Sequence, residues 1–82
     1  MEDGEVRDRI RRMLETGDLP CEDRQATWAG DGEGQQCAAC AAPIAATEIE
    51  FEVILSSGTV IRLHRLCHGI WLEECEPLTR RG

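Results

Sequence analysis

The segment that decides the fold runs from Cys37 to Cys67 and reads CAACAAPIAATEIEFEVILSSGTVIRLHRLC. It opens with Cys37 and Cys40, separated by two residues, and it closes with His64 and Cys67, which have the same spacing. Between the two pairs lie 23 residues. Thiolates and imidazoles are the preferred ligands of zinc, and pairs with this spacing bring two donors to one ion. We therefore predict that Cys37, Cys40, His64 and Cys67 hold a single Zn²⁺.

Other interpretations of these four residues are weaker. A Cys-x2-Cys pair also occurs in thioredoxin-type redox proteins, but those need a βαβ context and no His-x2-Cys pair. Iron is an alternative metal, although one histidine with three cysteines fits zinc better. The plainest alternative is that the cysteines are small buried apolar side chains and that His64 is a core histidine. Two independent pairs with the same spacing argue against it.

Three further residues with metal-binding or redox chemistry lie near this segment. His68 directly follows Cys67, but that step turns it about 100° around a helix. We therefore assign His68 to the surface or to the surroundings of the site. We expect Cys75 to pack on a helix face and Cys21 to be a loop thiol. The sequence leaves open whether Cys21 and Cys75 form a disulfide, because spacing alone does not fix a pairing.

Residues 47–55 predict a half-buried strand, because apolar and acidic side chains alternate along them. One face carries Ile49, Phe51, Val53 and Leu55, and the other carries Glu48, Glu50 and Glu52. The residues that follow, Ser56-Ser57-Gly58, predict a turn in which Gly58 takes a positive φ. Residues 59–63 then return as the second strand of a hairpin.

One helix is predicted before the connector, and a second helix is predicted after the hairpin. Residues 4–16 carry an amphipathic stripe, with Asp3 as the expected cap and Gly17 at the end. Its apolar positions are Val6, Ile10, Met13 and Leu14. Residues 64–76 predict the second helix, which Pro77 ends. Its first turn carries His64 and Cys67, and its buried face is expected to hold Leu63, Cys67, Ile70, Trp71 and Cys75.

Residues 19–36, between the first helix and the cysteines, are predicted to form a glycine-rich connector. Gly30-Asp31-Gly32-Glu33-Gly34 has the composition of a flexible loop. Its acidic residues would repel a phosphate, so a phosphate-binding loop is not indicated. We expect Trp28 to fold back over the core. The predicted organisation is thus a helix over 1–18, this connector over 19–36, a zinc-binding domain over 37–76 on which the helix packs, and a frayed tail over 77–82.

Composition and charge limit the class of protein. A chain of 82 residues forms one small domain whose core alone is marginal, so a metal would supply missing stability. The net charge of −7 disfavours binding to nucleic acids and to anionic lipid surfaces. We find no apolar run long enough for a signal peptide or a membrane span, and we expect a cytoplasmic protein with reduced thiols.

The ligand pattern carries a resemblance. Cys37-x2-Cys40-x23-His64-x2-Cys67 matches the spacing of the first zinc module of LIM domains, and the order of knuckle, hairpin and ligand-bearing helix resembles a treble-clef zinc finger. The glycines before Cys37, the stretch from Glu48 to Val53, and Trp71 are similar to small, uncharacterised bacterial zinc-binding proteins. The resemblance covers residues 28–75 and implies a small α+β, metal-stabilised fold. The second zinc module of LIM domains is missing.

The sequence favours a protein–protein interaction or regulatory module over two other classes of function. The alternative is a nucleic-acid-binding zinc-finger regulator of transcription, which needs basic side chains gathered on one surface. The arginines available for such a patch are Arg7, Arg9, Arg11, Arg12, Arg62 and Arg65. We do not expect an enzyme, because four protein ligands leave zinc no open position for water or substrate. We expect chelation or His64→Ala to unfold residues 37–75.

Overall fold

The computed structural model describes residues 2–79, which form two helices and a three-stranded antiparallel sheet. The elements in chain order are α1 (Asp3–Thr16), β1 (Arg24–Asp31), β2 (Ile49–Leu55), β3 (Val60–His64) and α2 (Arg65–Thr79). The strand order in the sheet is β1-β2-β3. Helix α2 packs on β2 and β3, and α1 packs on α2. The predicted small α+β class is confirmed, with one strand more than the predicted hairpin.

The core lies between α2 and the face of the sheet that it covers. Trp71 is fully buried there, and its indole Nε1–H donates to the carbonyl of Pro20 at 2.9 Å. Val53, Leu55 and Leu63 are also completely buried. Burying such side chains is the main stabilising contribution that the protein itself makes, at roughly 1.5–3 kcal/mol each. The predicted apolar face of α2 contributes to this core, and so do Val53 and Leu55 of the predicted face of β2, whereas Ile49 of that face is 40% exposed.

Helix α1 covers α2 with the stripe that the sequence predicts. Val6 and Ile10 are buried, and Gly17 ends the helix in the left-handed conformation with φ 84°. The predicted cap is wrong, because Glu2 and not Asp3 occupies the cap position and makes no side-chain cap. Asp3 instead joins the first turn, where its negative charge suits the helix dipole.

Helix α2 differs from its prediction at both ends. It begins at Arg65, so His64 is the last residue of β3 and not part of the helix. It continues through Pro77 to Thr79, so the predicted stop is wrong. A proline so close to the end removes only one intrahelical hydrogen bond, which a final turn tolerates. Arg80 to Gly82 of the predicted frayed tail lie outside the described residues.

Strand β1 lies inside the segment that the sequence predicts as a connector. It pairs with β2 from Arg24 opposite Leu55 to Asp31 opposite Ile49, with an irregularity in register between Arg24 and Ala26. The strand was missed because its residues do not alternate between buried and exposed: seven of the eight are exposed. Trp28 is 62% exposed, so the prediction that it covers the core is also wrong.

The glycine-rich stretch after β1 is ordered, in contrast to the predicted flexible loop. Gly32 is buried and donates its N–H to the carbonyl of Glu48 at 2.9 Å. A Cβ at Gly32 would overlap the Ala45 carbonyl oxygen and lie 2.6 Å from that of Ile44. Gly34, with φ 81°, donates its N–H to Ile44 at 2.9 Å. These contacts fasten the start of the cysteine loop to residues 44–48.

We predict that Gly32→Ala destabilises the protein by about 1–3 kcal/mol, because the added methyl group must displace main-chain atoms. Gly30→Ala is the matched control, since nothing lies within 4 Å of a Cβ at Gly30. The control is expected to change the free energy of unfolding by less than about 0.5 kcal/mol. Urea unfolding of both metal-loaded variants provides the test, and equal losses would show that the contact at Gly32 is not tight.

Two arginines of α1 are bound to α2 by a carboxylate. Glu74 accepts from Arg7 Nη1 and from Arg11 Nε, both at 2.6 Å, and its side chain is 14% exposed. Glu73 also pairs with Arg7, at 2.7 Å, but its side chain is 63% exposed. The hydrogen bonds from Arg11 and then from Arg7 lower the pKa of Glu74. Glu74 therefore joins the two helices in its ionised form.

We predict that Glu74→Gln lowers the thermal midpoint at pH 7 by a few degrees and that Glu73→Gln leaves it nearly unchanged, because exposed ion pairs contribute little. A carboxyl group whose pKa is lowered by folding stabilises the fold at pH values above the ordinary glutamate pKa of about 4.3. That contribution is lost as the pH falls through the lowered pKa of the folded state. The thermal midpoints of the variant and the unchanged chain are compared in 0.1 M and in 1 M salt. A difference between them that is the same at both salt concentrations would contradict the ionic contact.

No helix in the described range, residues 2–79, has both the length and the apolar character needed to cross a bilayer.

Candidate metal centre

Three separate elements bring the four predicted ligands together. Cys37 and Cys40 lie in the loop between β1 and β2, His64 ends β3, and Cys67 lies in the first turn of α2. Their sulfur and ring nitrogen atoms all lie within 4.8 Å of one another. Cys37 and Cys67 are buried, and the other two are partly exposed. These side chains are close enough to bind one metal ion.

The cysteine loop has a conformation of its own that turns both sulfurs inward. The Cys37 N–H donates to the Ala42 carbonyl at 2.9 Å, and the Cys37 carbonyl accepts from the Ala41 N–H at 3.0 Å. Ala41 has φ 67°, a left-handed conformation in a residue that is not glycine. The Ala38 N–H donates to the Arg62 carbonyl at 2.8 Å, which fastens the loop to β3 beside His64.

The ring of His64 is oriented by its surroundings. Nε2 lies 3.2 Å from the carbonyl oxygen of Pro43, and Nδ1 lies 3.3 Å from the Cys40 sulfur. Because a carbonyl oxygen only accepts, we assign the hydrogen to Nε2. The lone pair of Nδ1 then faces the three thiols. A second hydrogen bond of this kind is the usual device that fixes the tautomer of a metal-binding histidine.

Glu48 supports the site, although the sequence placed it only on the polar face of a strand. Its Oε1 accepts from the Ala45 N–H at 2.9 Å and lies 3.6 Å from His64 Nε2. Its own N–H donates to the Ala45 carbonyl at 2.9 Å. Glu48 thus closes the turn that precedes β2 and places a negative charge behind the imidazole. The carboxylate increases the ability of the ring to donate electrons to a cation.

The thiols influence one another strongly because they share a small space. A hydrogen bond from Cys67, helped by main-chain N–H groups, lowers the pKa of Cys37 to about 4. The same contact raises the pKa of Cys67, and burial followed by the charge on Cys37 raises that of Cys40. The three thiols therefore differ in acidity. A divalent ion at the centre of the cluster would favour the thiolate form of all three cysteines.

His68 lies outside this cluster, as the sequence predicts. Its ring stacks on Phe51 with the centroids 4.3 Å apart and the planes 5° from parallel. Burial, and then the charge on Arg24, lowers the pKa of His68, so the ring is neutral at pH 7. Its Nε2 has no hydrogen-bond partner in the described part of the chain. The role of His68 is thus to pack α2 against β2.

The remaining two cysteines form a disulfide. Cys21 and Cys75 have their Cα atoms 5.5 Å apart and their sulfurs bonded. The prediction that Cys21 is a loop thiol is therefore wrong, and so is the expectation that all thiols are reduced. Cys75 lies on the buried face of α2 as predicted. The disulfide accounts for two of the five cysteines, and the other three are the free cysteines of the candidate metal centre.

The chain has no match among known protein families, curated proteins or solved structures. The likeness to LIM domains and treble-clef zinc fingers therefore stays a prediction from ligand spacing and element order. The candidate centre is defined by its own geometry. It consists of three thiols and one imidazole nitrogen within 4.8 Å, placed by a loop, a strand end and a helix start.

Proposed function

We propose that Cys37, Cys40, His64 and Cys67 bind one Zn²⁺ that holds the fold together, and that the chain is a zinc-stabilised protein-interaction module. The convergence of the four donor atoms within 4.8 Å carries this proposal. In a tetrahedral site with Zn–S near 2.3 Å and Zn–N near 2.0 Å, donors lie roughly 3.5–3.8 Å apart. Small side-chain movements would therefore bring all four donors to one ion.

The chemistry of the donors supports zinc over other metals. Thiolates exclude magnesium and calcium, which prefer oxygen ligands, and a tetrahedral set of sulfur and nitrogen is typical of zinc or iron. A set of three cysteines and one histidine is one of the common structural zinc sites. Glu48 and Pro43 add the support behind the imidazole that such sites use.

The proposed role of the ion is structural and not catalytic. Four protein ligands complete a tetrahedron and leave no position for a water molecule or a substrate. The ion would join the cysteine loop to the end of β3 and the start of α2, in addition to the hydrogen bond from the Ala38 N–H to the Arg62 carbonyl. Binding energies of small zinc domains, about 10–16 kcal/mol apparent, exceed the total stability of most domains of this size. We therefore propose that the metal decides whether this part of the chain folds.

A protein partner is favoured over a nucleic acid. The net charge is −7, and the arginines that would have to form a basic surface are partly engaged. Arg7 and Arg11 bind Glu74, and Arg62 lies 3.2 Å from Glu52. An arginine already paired with a carboxylate attracts a phosphate less strongly. The proposed LIM-like, treble-clef order fits a role in protein contacts.

Metal analysis of the purified chain tests the zinc assignment. The protein is refolded with equal amounts of Zn²⁺ and Fe²⁺ and then measured by native mass spectrometry. One zinc per chain is expected, and substitution with Co²⁺ should give the intense visible bands of a tetrahedral site with thiolate ligands. The variant Cys21→Ala/Cys75→Ala should keep its metal, while Cys67→Ala should lose it. A stoichiometry that survives Cys67→Ala would refute the ligand set.

A further inference from the structure

Strand β1 is unusual because it contributes little to the core. Helix α2 contacts β2 and β3, while seven of the eight residues of β1 are exposed. Within residues 2–79, β2 is the sole strand paired with it, so its other edge carries main-chain groups that no strand of the described chain pairs with. Such an edge is a template for a further strand.

The face of the sheet opposite α2, here called the outer face, presents an aromatic side chain on this edge strand. Trp28 lies directly opposite Glu52, and Glu52 lies opposite Arg62. Because opposite residues share a face and the neighbouring Val53 is buried under α2, these three side chains lie on the outer face. Trp28 is 62% exposed there, which leaves most of its ring available for contact.

Beside Trp28 the outer face has a shallow depression of about 200 Å³. Gly30 forms part of its floor, and an added Cβ at Gly30 would meet nothing within 4 Å. Every charged residue that lines the depression is acidic: Asp31, Glu33, Glu50 and Glu52. Next to it, Arg62 lies 3.2 Å from Glu52 and 4.0 Å from Glu50. The depression therefore combines an open aromatic ring with an excess of negative charge.

The carboxylate of Glu50 has incomplete hydrogen bonding in this depression. Its side chain is only 12% exposed, and its Oε1 is buried without a hydrogen-bond partner in the described residues. Glu50 lies opposite Gly30, which has no side chain. A long side chain from a strand added beside β1 would therefore pass over Gly30 towards Glu50, a span of two strand spacings or roughly 10 Å.

We propose that the outer face at β1 binds an extended peptide segment rich in arginine or lysine, as the partner of the interaction module proposed above. The peptide pairs with the free edge of β1, and alternate side chains point to the outer face. One cationic side chain lies against the Trp28 ring and reaches the carboxylates of Glu50 and Glu52. A cation between an aromatic face and a carboxylate is attracted by both.

Charge selects this occupant over a second copy of the chain. Two copies paired through β1 would bring together molecules of charge −7, with their acidic depressions side by side. A basic segment, in contrast, neutralises the depression. The same charge excludes an anionic ligand such as nucleic acid from this surface. The cationic peptide is thus the partner that the side chains recognise.

The test uses the full, zinc-loaded chain and a fluorescent peptide of alternating arginine and threonine with blocked ends, at 0.15 M salt. Binding measured by fluorescence anisotropy is expected to weaken about tenfold in Trp28→Ala, as the loss of a cation–π contact predicts. Gly30→Val fills the depression without a change in charge and should weaken binding to a similar extent. A peptide with glutamate in place of arginine should not bind.

Two double variants control for nonspecific electrostatic attraction of the peptide. Glu5→Gln/Glu15→Gln removes two exposed charges from α1, and Glu50→Gln/Glu52→Gln removes two charges from the outer face. Only the second pair should lose the peptide. Equal binding by Gly30→Val, Trp28→Ala and the unchanged chain overturns the proposal, and so does a dimer that Trp28→Ala dissociates. Metal analysis of each sample separates the two proposals. A chain that holds one zinc but does not bind the peptide would refute the peptide-binding surface and leave the proposed zinc site unaffected.

Discussion

Replacing His64 by alanine is expected to abolish the cooperative folding of residues 37–75. The variant removes one of four donors and the ring that joins Cys40 to Pro43 and Glu48. Because structural zinc contributes about 10–16 kcal/mol apparent, even a partial loss exceeds the margin of a small domain. Circular dichroism and urea unfolding in the presence of equimolar zinc should show no folded baseline at 25 °C.

His68→Gln is the control for this prediction, since His68 stacks on Phe51 and lies outside the cluster. It should retain one metal ion per chain and lose only the stability of the ring stack. If His64→Ala unfolded at the same urea concentration as His68→Gln, His64 would be a packing residue and not a ligand.

Removing the disulfide gives the second large effect. Cys21 and Cys75 are 54 residues apart, and closing a loop of this length lowers the entropy of the unfolded chain. The chain-entropy relation gives roughly 4 kcal/mol at 25 °C for such a loop. Cys21→Ala/Cys75→Ala should therefore lose about 4 kcal/mol of unfolding free energy, measured by urea unfolding of the zinc-loaded protein.

The metal site provides the internal control for the disulfide prediction. None of the four ligands is altered in the double variant, so it should still bind one zinc with tetrahedral Co²⁺ spectra. A midpoint that does not change would mean that the two sulfurs stay reduced in the folded protein. Loss of the metal together with the disulfide would mean that the two features depend on each other.

The four candidate ligands could be predicted because their residue types and spacing are typical of a metal site. Two pairs with the same x2 spacing led to four side chains that the structure brings within 4.8 Å. Strand β2 and the turn at Gly58, with φ 92°, follow from the alternation and from the glycine. In these segments one face is buried, so the local pattern and the tertiary structure agree.

The rest depends on contacts between distant parts of the chain. Strand β1 has no buried face, and it is a strand because its main chain pairs with β2. The Cys21–Cys75 bond depends on how the loop after α1 lies beside α2. Gly32 belongs to a stretch with the composition of a flexible loop, yet the approach of the Ala45 main chain makes it a packed position. None of these three features can be inferred from a local sequence pattern.

Amide NMR spectra recorded before and after chelation test the central claim, that one metal ion holds the fold together. The ¹H–¹⁵N spectrum of the zinc-loaded chain with its disulfide intact should be well dispersed. After removal of zinc at neutral pH, the signals of residues 37–75 should collapse to the narrow range of an unfolded chain, and one equivalent of Zn²⁺ should restore them. A metal-free chain that keeps dispersed signals over 37–75 would contradict the account.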